Sequence, residues 1–372
     1  MTREHYSERF EQAELTQLAK RLRLEIGPLS PLRRLDESSD RIDESRIERF
    51  SNDPTCKSAI RSLANPRRAV TANLLSENGQ IYSSYYEAED HQRFFSGSYV
   101  VGCWQEDEGV RVSLPWFCDE IASLAAVALD LNGLTEPANE RHTFSSKGLT
   151  ALAVVIDTIN QVKILSKIHR TYRDQEYFSP EAFLDQLGLG FISTDRRWIT
   201  PLLRTHAPYA HPLSYEGAGE GLDELVSLGL IEMNDEAEWK PLEFILRLAH
   251  QLEDPWPVVS HQYSEVINGE AKQTAHLIGL GGNGPLWLLD YNFNDGFRIN
   301  LRSTDLLQYR DRLTELLYFP EKHESGGTGR GDSTFRQCPY CSANIVSGDQ
   351  YCRECGETLS IAETTQIFCT EC

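Results

Sequence analysis

The apolar positions of the chain change their spacing several times, and each change predicts an element. Residues 147–170 carry Leu149, Leu152, Ala153, Ile156, Ile159, Ile164, Leu165 and Ile168 at helical spacing, so one long helix is expected there. Ser179-Pro180 opens a shorter helix that closes at Leu187-Gly188. Further helices are expected over 198–204 and 221–228, followed by a strand, a turn at Asn234-Asp235 and a second strand, the rhythm of a winged helix. Near the N-terminus Tyr6, Phe10, Ala13, Leu15, Leu18 and Leu22 predict an amphipathic helix, followed by a connector containing Pro28, Pro31 and the charged residues 36–44.

On either side of the helical middle the pattern repeats. Glu108-Gly109-Val110-Arg111-Val112-Ser113-Leu114 matches Asp295-Gly296-Phe297-Arg298-Ile299-Asn300-Leu301 in residue character. An apolar run precedes each heptad, and a helical pattern follows each, over 119–129 and 304–317, with Ser303 or Thr304 placed to cap the second. Upstream, Asn78-Gly79 and Asn268-Gly269 are hairpin-turn signals. Pro66 and Pro255 each end a helical pattern, the first opened by Asp53-Pro54. Each unit therefore reads helix, four antiparallel strands, helix. The expected fold is α+β: two similar antiparallel-sheet-plus-helix subdomains around a helical, winged-helix-like middle, with a small zinc ribbon. The expected boundaries are 1–50 for the charged N-terminal segment, 51–134 and 239–320 for the two units, and 135–238 for the middle. Residues 321–335 form a Gly-rich linker, 336–360 the ribbon and 361–372 a tail.

Composition adds constraints on partners. With 372 residues, 40% hydrophobic and 25% charged, the chain can build several cores. The apolar runs are short, which predicts no membrane insertion, and no signal-peptide pattern follows Met1, so a cytoplasmic location is expected. A net charge of −20 disfavours nucleic acid as a partner, and residues 176–238 hold twelve Asp/Glu against three Lys/Arg.

Of the nine cysteines, Cys56, Cys103 and Cys118 are scattered and read as reduced, buried thiols, while six cluster in CxxC pairs near the C-terminus. Cys338-Pro-Tyr-Cys341 and Cys352-Arg-Glu-Cys355-Gly356 are separated by ten residues holding a short strand at Asn344-Ile345-Val346. Each pair can present two thiolates from one tight turn, and two such knuckles complete a tetrahedral structural Zn2+ site with no vacant position for catalysis. A segment this short cannot fold on apolar burial alone, so the metal would supply its folding energy. The motif resembles the first half of a double zinc ribbon. Cys369 and Cys372 form a further pair without a fourth knuckle. Two chains each donating this half-site would form a homodimer; a truncated ribbon with two free thiols is the other reading.

Other motifs carry little chemistry. Gly279-Leu-Gly281-Gly282-Asn-Gly284 leads into a strand, so it reads as a hairpin turn and not as a phosphate loop. His206 and His211 are poorly spaced for one metal and read as loop histidines. No HExxH, GxSxG or Walker sequence is present, and no catalytic residue is nominated. Residues 66–317, two α+β halves around a helical middle with Asp295-Gly296 before the last strand and helix, resemble the EspG family of type VII secretion chaperones. That resemblance implies binding of a protein partner by sheet surfaces and no catalysis, although a zinc ribbon is not part of the family's pattern. The expected function is a non-enzymatic zinc-binding adaptor or chaperone. The alternative is a nucleic-acid-associated regulator using the ribbon and the winged-helix-like segment.

Overall fold

The computed structural model describes residues 6–317 apart from 35–42, 77–78, 88–98, 107–108, 130–136, 138–139, 170–176, 208–213 and 294–296, together with 336–337 and 344–345. Its N-terminus corrects one expectation. Tyr6–Phe10 is a strand, β1, and the helix α1 spans only Gln12–Arg21. Tyr6, Glu8 and Phe10 alternate with Ser7 and Arg9, and pairing in register with a later strand places Phe10 opposite Val110, inside the core. Downstream, short-range chemistry starts two helices, one that the sequence pattern did not foresee and one where it was expected. Asp43 accepts from Ser45 N and Arg46 N to open α2 (Glu44–Asn52). Asp53 accepts from Thr55 N and Cys56 N to open α3 (Pro54–Ala64), with Pro54 in its first turn.

Four strands follow, β2 (Arg68–Ser76), β3 (Gly79–Glu87), β4 (Tyr99–Glu106) and β5 (Gly109–Phe117), then α4 (Cys118–Leu129). After β6 (Arg141–Phe144) the helical middle comprises α5 (Ser146–His169), α6 (Pro180–Ile192), α7 (Ile199–His206) and α8 (Tyr215–Ser227). A hairpin of β7 (Ile231–Met233) and β8 (Trp239–Pro241) and the helix α9 (Glu243–Gln251) complete it. The second run of strands is β9 (Val258–Ile267), β10 (Glu270–Leu280), β11 (Leu286–Asn292) and β12 (Arg298–Thr304), followed by α10 (Leu306–Leu317). Asn268 and Gly269 both take positive φ, the backbone that a tight β9–β10 hairpin demands. The glycine-rich stretch after Gly279 is the β10–β11 turn. Asp305, not Ser303 or Thr304, caps α10, its carboxylate accepting from Gln308 N at 2.7 Å. Ser303 and Thr304 remain in β12.

The architecture is α+β with one large antiparallel sheet. Ten strands run β1-β5-β4-β3-β2-β9-β10-β11-β12-β6, so the two four-strand meanders join edge to edge through β2 and β9. Both faces are covered, unlike the one-sided sheets that alternation alone suggests. On one face α4 and α10 pack over Val70, Val259, Leu277 and Leu288. On the other, α1–α3 cover Val101, Cys103 and Val112 of the first meander. There the α5–α9 layer covers Ile278, Leu289, Tyr291 and Ile299 of the second. Burial on both sides explains why Leu286-Trp287-Leu288-Leu289 is apolar at consecutive positions.

Helix α5 is long and apolar enough to cross a membrane by length and composition, but 67% of its apolar window is buried within the protein, marking it as the central core helix. Two glycines let α8 approach it closely: a Cβ at Gly221 would sit 2.3 Å from Lys147 O, and one at Gly148 2.5 Å from the Glu224 carboxyl. Residues 321–372 belong to a second compact unit. In it β13 (Arg336–Gln337) pairs antiparallel with β14 (Asn344–Ile345).

Candidate functional site

Register places residues from distant segments side by side. One row crosses the sheet as Cys103, Ser84, Thr71, Gln262, His276, Tyr291, Ile299 and Phe144. Its ends lie under helices, Cys103 in the core beneath α1–α3 and Tyr291, Ile299 and Phe144 in the core beneath the α5–α9 layer. Its centre is polar. Thr71 is exposed, and Ser84 and Gln262 are half-buried. The adjacent row repeats the pattern, with Tyr82 opposite Asn73 and Asn73 opposite Ser260. Tyr82 is 52% exposed, in the part of β3 that pairs with β2 but lies beyond its pairing with β4, which ends at Ser84. The two helical layers on this face therefore leave a polar seam open over β3, β2 and β9. At a strand spacing of about 4.8 Å the floor is roughly 10 Å wide from β3 to β9.

The wall on the α7 side is tied to the floor by a chain of hydrogen bonds. Arg196 Nη1 donates to Gln80 Oε1 at 2.7 Å, and Gln80 Nε2 donates to Asn73 Oδ1 at 2.9 Å and also to the Tyr82 hydroxyl. Asn73 Nδ2 meets His206 Nδ1 at 3.3 Å, and Gln262 Nε2 donates to the His206 carbonyl at 3.1 Å. His206 is not a loop histidine: it ends α7 and is 2% exposed. Burial, reinforced by the Arg196 charge, lowers its pKa to about 4, so the ring is neutral at pH 7. With the Asn73 amide donating to Nδ1, the ring proton lies on Nε2, a buried atom with no hydrogen-bond partner among the described residues. His211 lies outside the described residues.

Ser260 Oγ and His276 Nε2 are 2.7 Å apart, the spacing of a nucleophile and its base. Both are sealed under the α5–α9 layer, at 2% and 0% exposure, and His276 stacks on Tyr291 at 5.1 Å. The pair satisfies two buried polar groups and is closed to substrate. On the opposite face His261, its pKa lowered to about 3 by burial, meets the Tyr309 hydroxyl at 3.3 Å. Cys56, Cys103 and Cys118 are buried thiols outside any disulfide, and Cys118 Sγ donates to Leu317 O at 3.1 Å. Among the described residues no group of three or more His, Cys, Asp or Glu is placed to hold a metal ion. Cys338, Cys341, Cys352, Cys355, Cys369 and Cys372 lie outside the described residues.

The acids of α8 have an internal role. Glu224 accepts from Ser145 N at 2.7 Å and from the Ser145 hydroxyl, and Glu220 pairs with Lys147, fastening α8 to the start of α5. None of the seam residues was nominated from sequence. Their signal is the polar identity of alternate positions in β2, β3 and β9, which has meaning only once the register sets these strands beside one another.

No protein-family model matches the chain, and no curated protein matches it. Among solved structures it has a weak, partial similarity to the Mycobacterium tuberculosis type VII secretion system chaperone EspG5, in a structure with the PE25–PPE41 dimer. Identity is 10%, the match covers 84% of this chain and 96% of that one, and the TM-score is 0.43.

Proposed function

We propose that this chain is a non-enzymatic adaptor or chaperone that binds a partner protein across the open polar seam, and that its C-terminal residues form a structural zinc module. The observation that carries the first part is the exposure of Thr71, flanked by Ser84 and Gln262 on the two neighbouring strands, with exposed Tyr82 on the same face. A half-exposed tyrosine among hydroxyls and amides is a composition suited to protein interfaces. The floor is wide enough for one extended segment or one helix. A photo-crosslinking residue at Thr71 of the full chain tests this, with one at exposed Glu270 as control. A single, stoichiometric protein adduct specific to Thr71 is expected; identical adducts at both positions, or none, would refute the reading.

The zinc reading rests on the spacing of Cys338, Cys341, Cys352 and Cys355. The pairing of β13 with β14 supports it, since the hairpin brackets Cys338 and Cys341. These four thiolates would hold the ion, whose contribution is folding energy for the module. Metal analysis of the purified chain should find about one zinc, lost in Cys338→Ser. Native mass spectrometry separates the two readings of Cys369 and Cys372. A dimer with an extra shared zinc supports an intermolecular site, and a monomer with one zinc removes it.

A further inference from the structure

The two edges of the sheet are finished differently. At β1 the Arg46 guanidinium, held by Glu14 at 3.4 Å, donates to the outward carbonyl of Arg9, so a side chain of α2 occupies one backbone acceptor of that edge. At the other end β6, among the described residues, pairs only with β12. Ser303 N donates to Glu140 O at 3.1 Å, and this bond sets the alternation along the ladder. Glu140, His142 and Phe144 turn their backbone groups toward β12, while Arg141 and Thr143 turn theirs outward. Among the described residues nothing pairs with those outward groups.

The side chains beside this edge are unusual for a chain of net charge −20. Arg141 stands directly opposite Arg302 on the face toward α10, a like-charge cross-strand pair. Arg312, from α10, takes the nearby carboxylates, Asp290 at 3.1 Å and Glu315 at 3.2 Å. Among the described residues Arg141 and Arg302 have no acidic partner, and Arg302 Nε is buried without a hydrogen bond. Burial sets Arg302 below the usual guanidinium range; the Asp290 and Glu315 carboxylates oppose this, and the like charges of Arg312 and Arg141 add to it. A charged edge residue alone guards against aggregation. It does not account for a second, half-buried guanidinium behind it, when the carboxylates that act on it, Asp290 and Glu315, are paired with Arg312. On the other face of β6, His142 stacks on Phe244 at 4.2 Å, an aromatic surface beside the same edge.

We propose that β6 receives an extended acidic segment of a partner protein, which adds as the next strand and sets a carboxylate against Arg141 and Arg302. Strand addition would satisfy the outward backbone groups of Arg141 and Thr143. Directly opposite residues in such a pair share a face with Cα atoms about 5.5 Å apart, within reach of a Glu side chain. Antiparallel addition places that Glu opposite Arg141, an apolar residue opposite His142 and a small polar residue opposite Thr143. The sequence read is polar–apolar–acidic.

The test uses the full chain and a fluorescein-labelled probe, Val-Thr-Val-Glu-Val with blocked ends, against the same peptide carrying Lys in place of Glu. Fluorescence anisotropy should show saturable binding of the Glu peptide, about tenfold weaker for the Lys peptide, and weakened by salt. Arg141→Glu should reverse the preference, a gain for the Lys peptide that a misfolded variant could not produce. Thr71→Arg, in the seam, should leave probe binding unchanged, so failure at the edge and failure at the seam are distinguishable. Equal affinity for the two peptides, no saturable binding up to about 1 mM, or an unchanged preference in Arg141→Glu would overturn the proposal.

Discussion

Asp157 offers the sharpest test of how the helical middle is held. Its carboxylate is buried on α5 and accepts from Ile199 N and Thr200 N, both at 2.8 Å, satisfying the first turn of α7. Burial disfavours the charge, while the two N–H bonds and the positive end of α7 favour it. A helix N-terminus contributes at most about 2 kcal/mol, against several kcal/mol for desolvating a buried ion. Desolvation wins, and the pKa rises from 3.8 to about 7. Since the folded state then holds its proton more tightly than the unfolded chain, stability from this group is greatest at low pH and is lost as pH rises through about 7. The chain's pI of 4.9 sets the practical lower limit of the experiment, so the window is roughly pH 5.5 to 8.5. Across it the unfolded carboxyl stays ionised while the folded one titrates, a change of about 2 kcal/mol. Urea denaturation of the wild type and of Asp157→Asn, followed by circular dichroism, isolates this quantity. The asparagine loses one acceptor at every pH, a constant offset, and all other groups cancel in the difference. The wild type should therefore lose about 2 kcal/mol relative to the variant between pH 5.5 and 8.5. Parallel profiles, or a wild type that gains on the variant with rising pH, would show that the α7 N–H groups outweigh desolvation.

Further outcomes follow from other contacts. Gly221→Ala should destabilise by about 1–3 kcal/mol in thermal melts, because the new methyl would meet Lys147 O at 2.3 Å and Ala151 Cβ at 2.8 Å. Gly219→Ala on the same helix meets nothing within 4 Å and should stabilise by about 0.5–1 kcal/mol. Arg204→Ala removes a guanidinium that donates to the carbonyls of Gly190, Phe191 and Ser193 at the end of α6, and should cost about 2 kcal/mol in denaturant midpoint analysis. Chelation should release about one zinc and open the last residues to protease; a tail equally protected without metal would contradict the zinc reading.

Signals that act over a few residues were legible in the sequence. Asp53-Pro54 opens α3 because a carboxylate meets two free N–H groups and proline lacks the donor that would be orphaned. Asn268-Gly269 turns a hairpin because both residues accept positive φ. The apolar spacing over 147–170 produced α5 almost to the residue. At the N-terminus two periods compete: Tyr6 and Phe10 fit a helix stripe and a strand face equally, and only pairing with β5 chose the strand. The seam was not legible. Thr71 and Gln262 lie 191 positions apart, and either is an unremarked polar residue in its own strand.

The sequence by itself therefore determined where several helices and hairpins begin, as at Asp53-Pro54, Ser179-Pro180 and Asn268-Gly269. Only the tertiary structure decided that β2 pairs with β9, that the helical layers stop short of their junction, and that Arg141 faces Arg302 in the last strand of the sheet. The physical reason is range. Caps, turns and periodicity are set by the stereochemistry of neighbours along the backbone, whereas register and coverage depend on which distant strands bury the most apolar surface together.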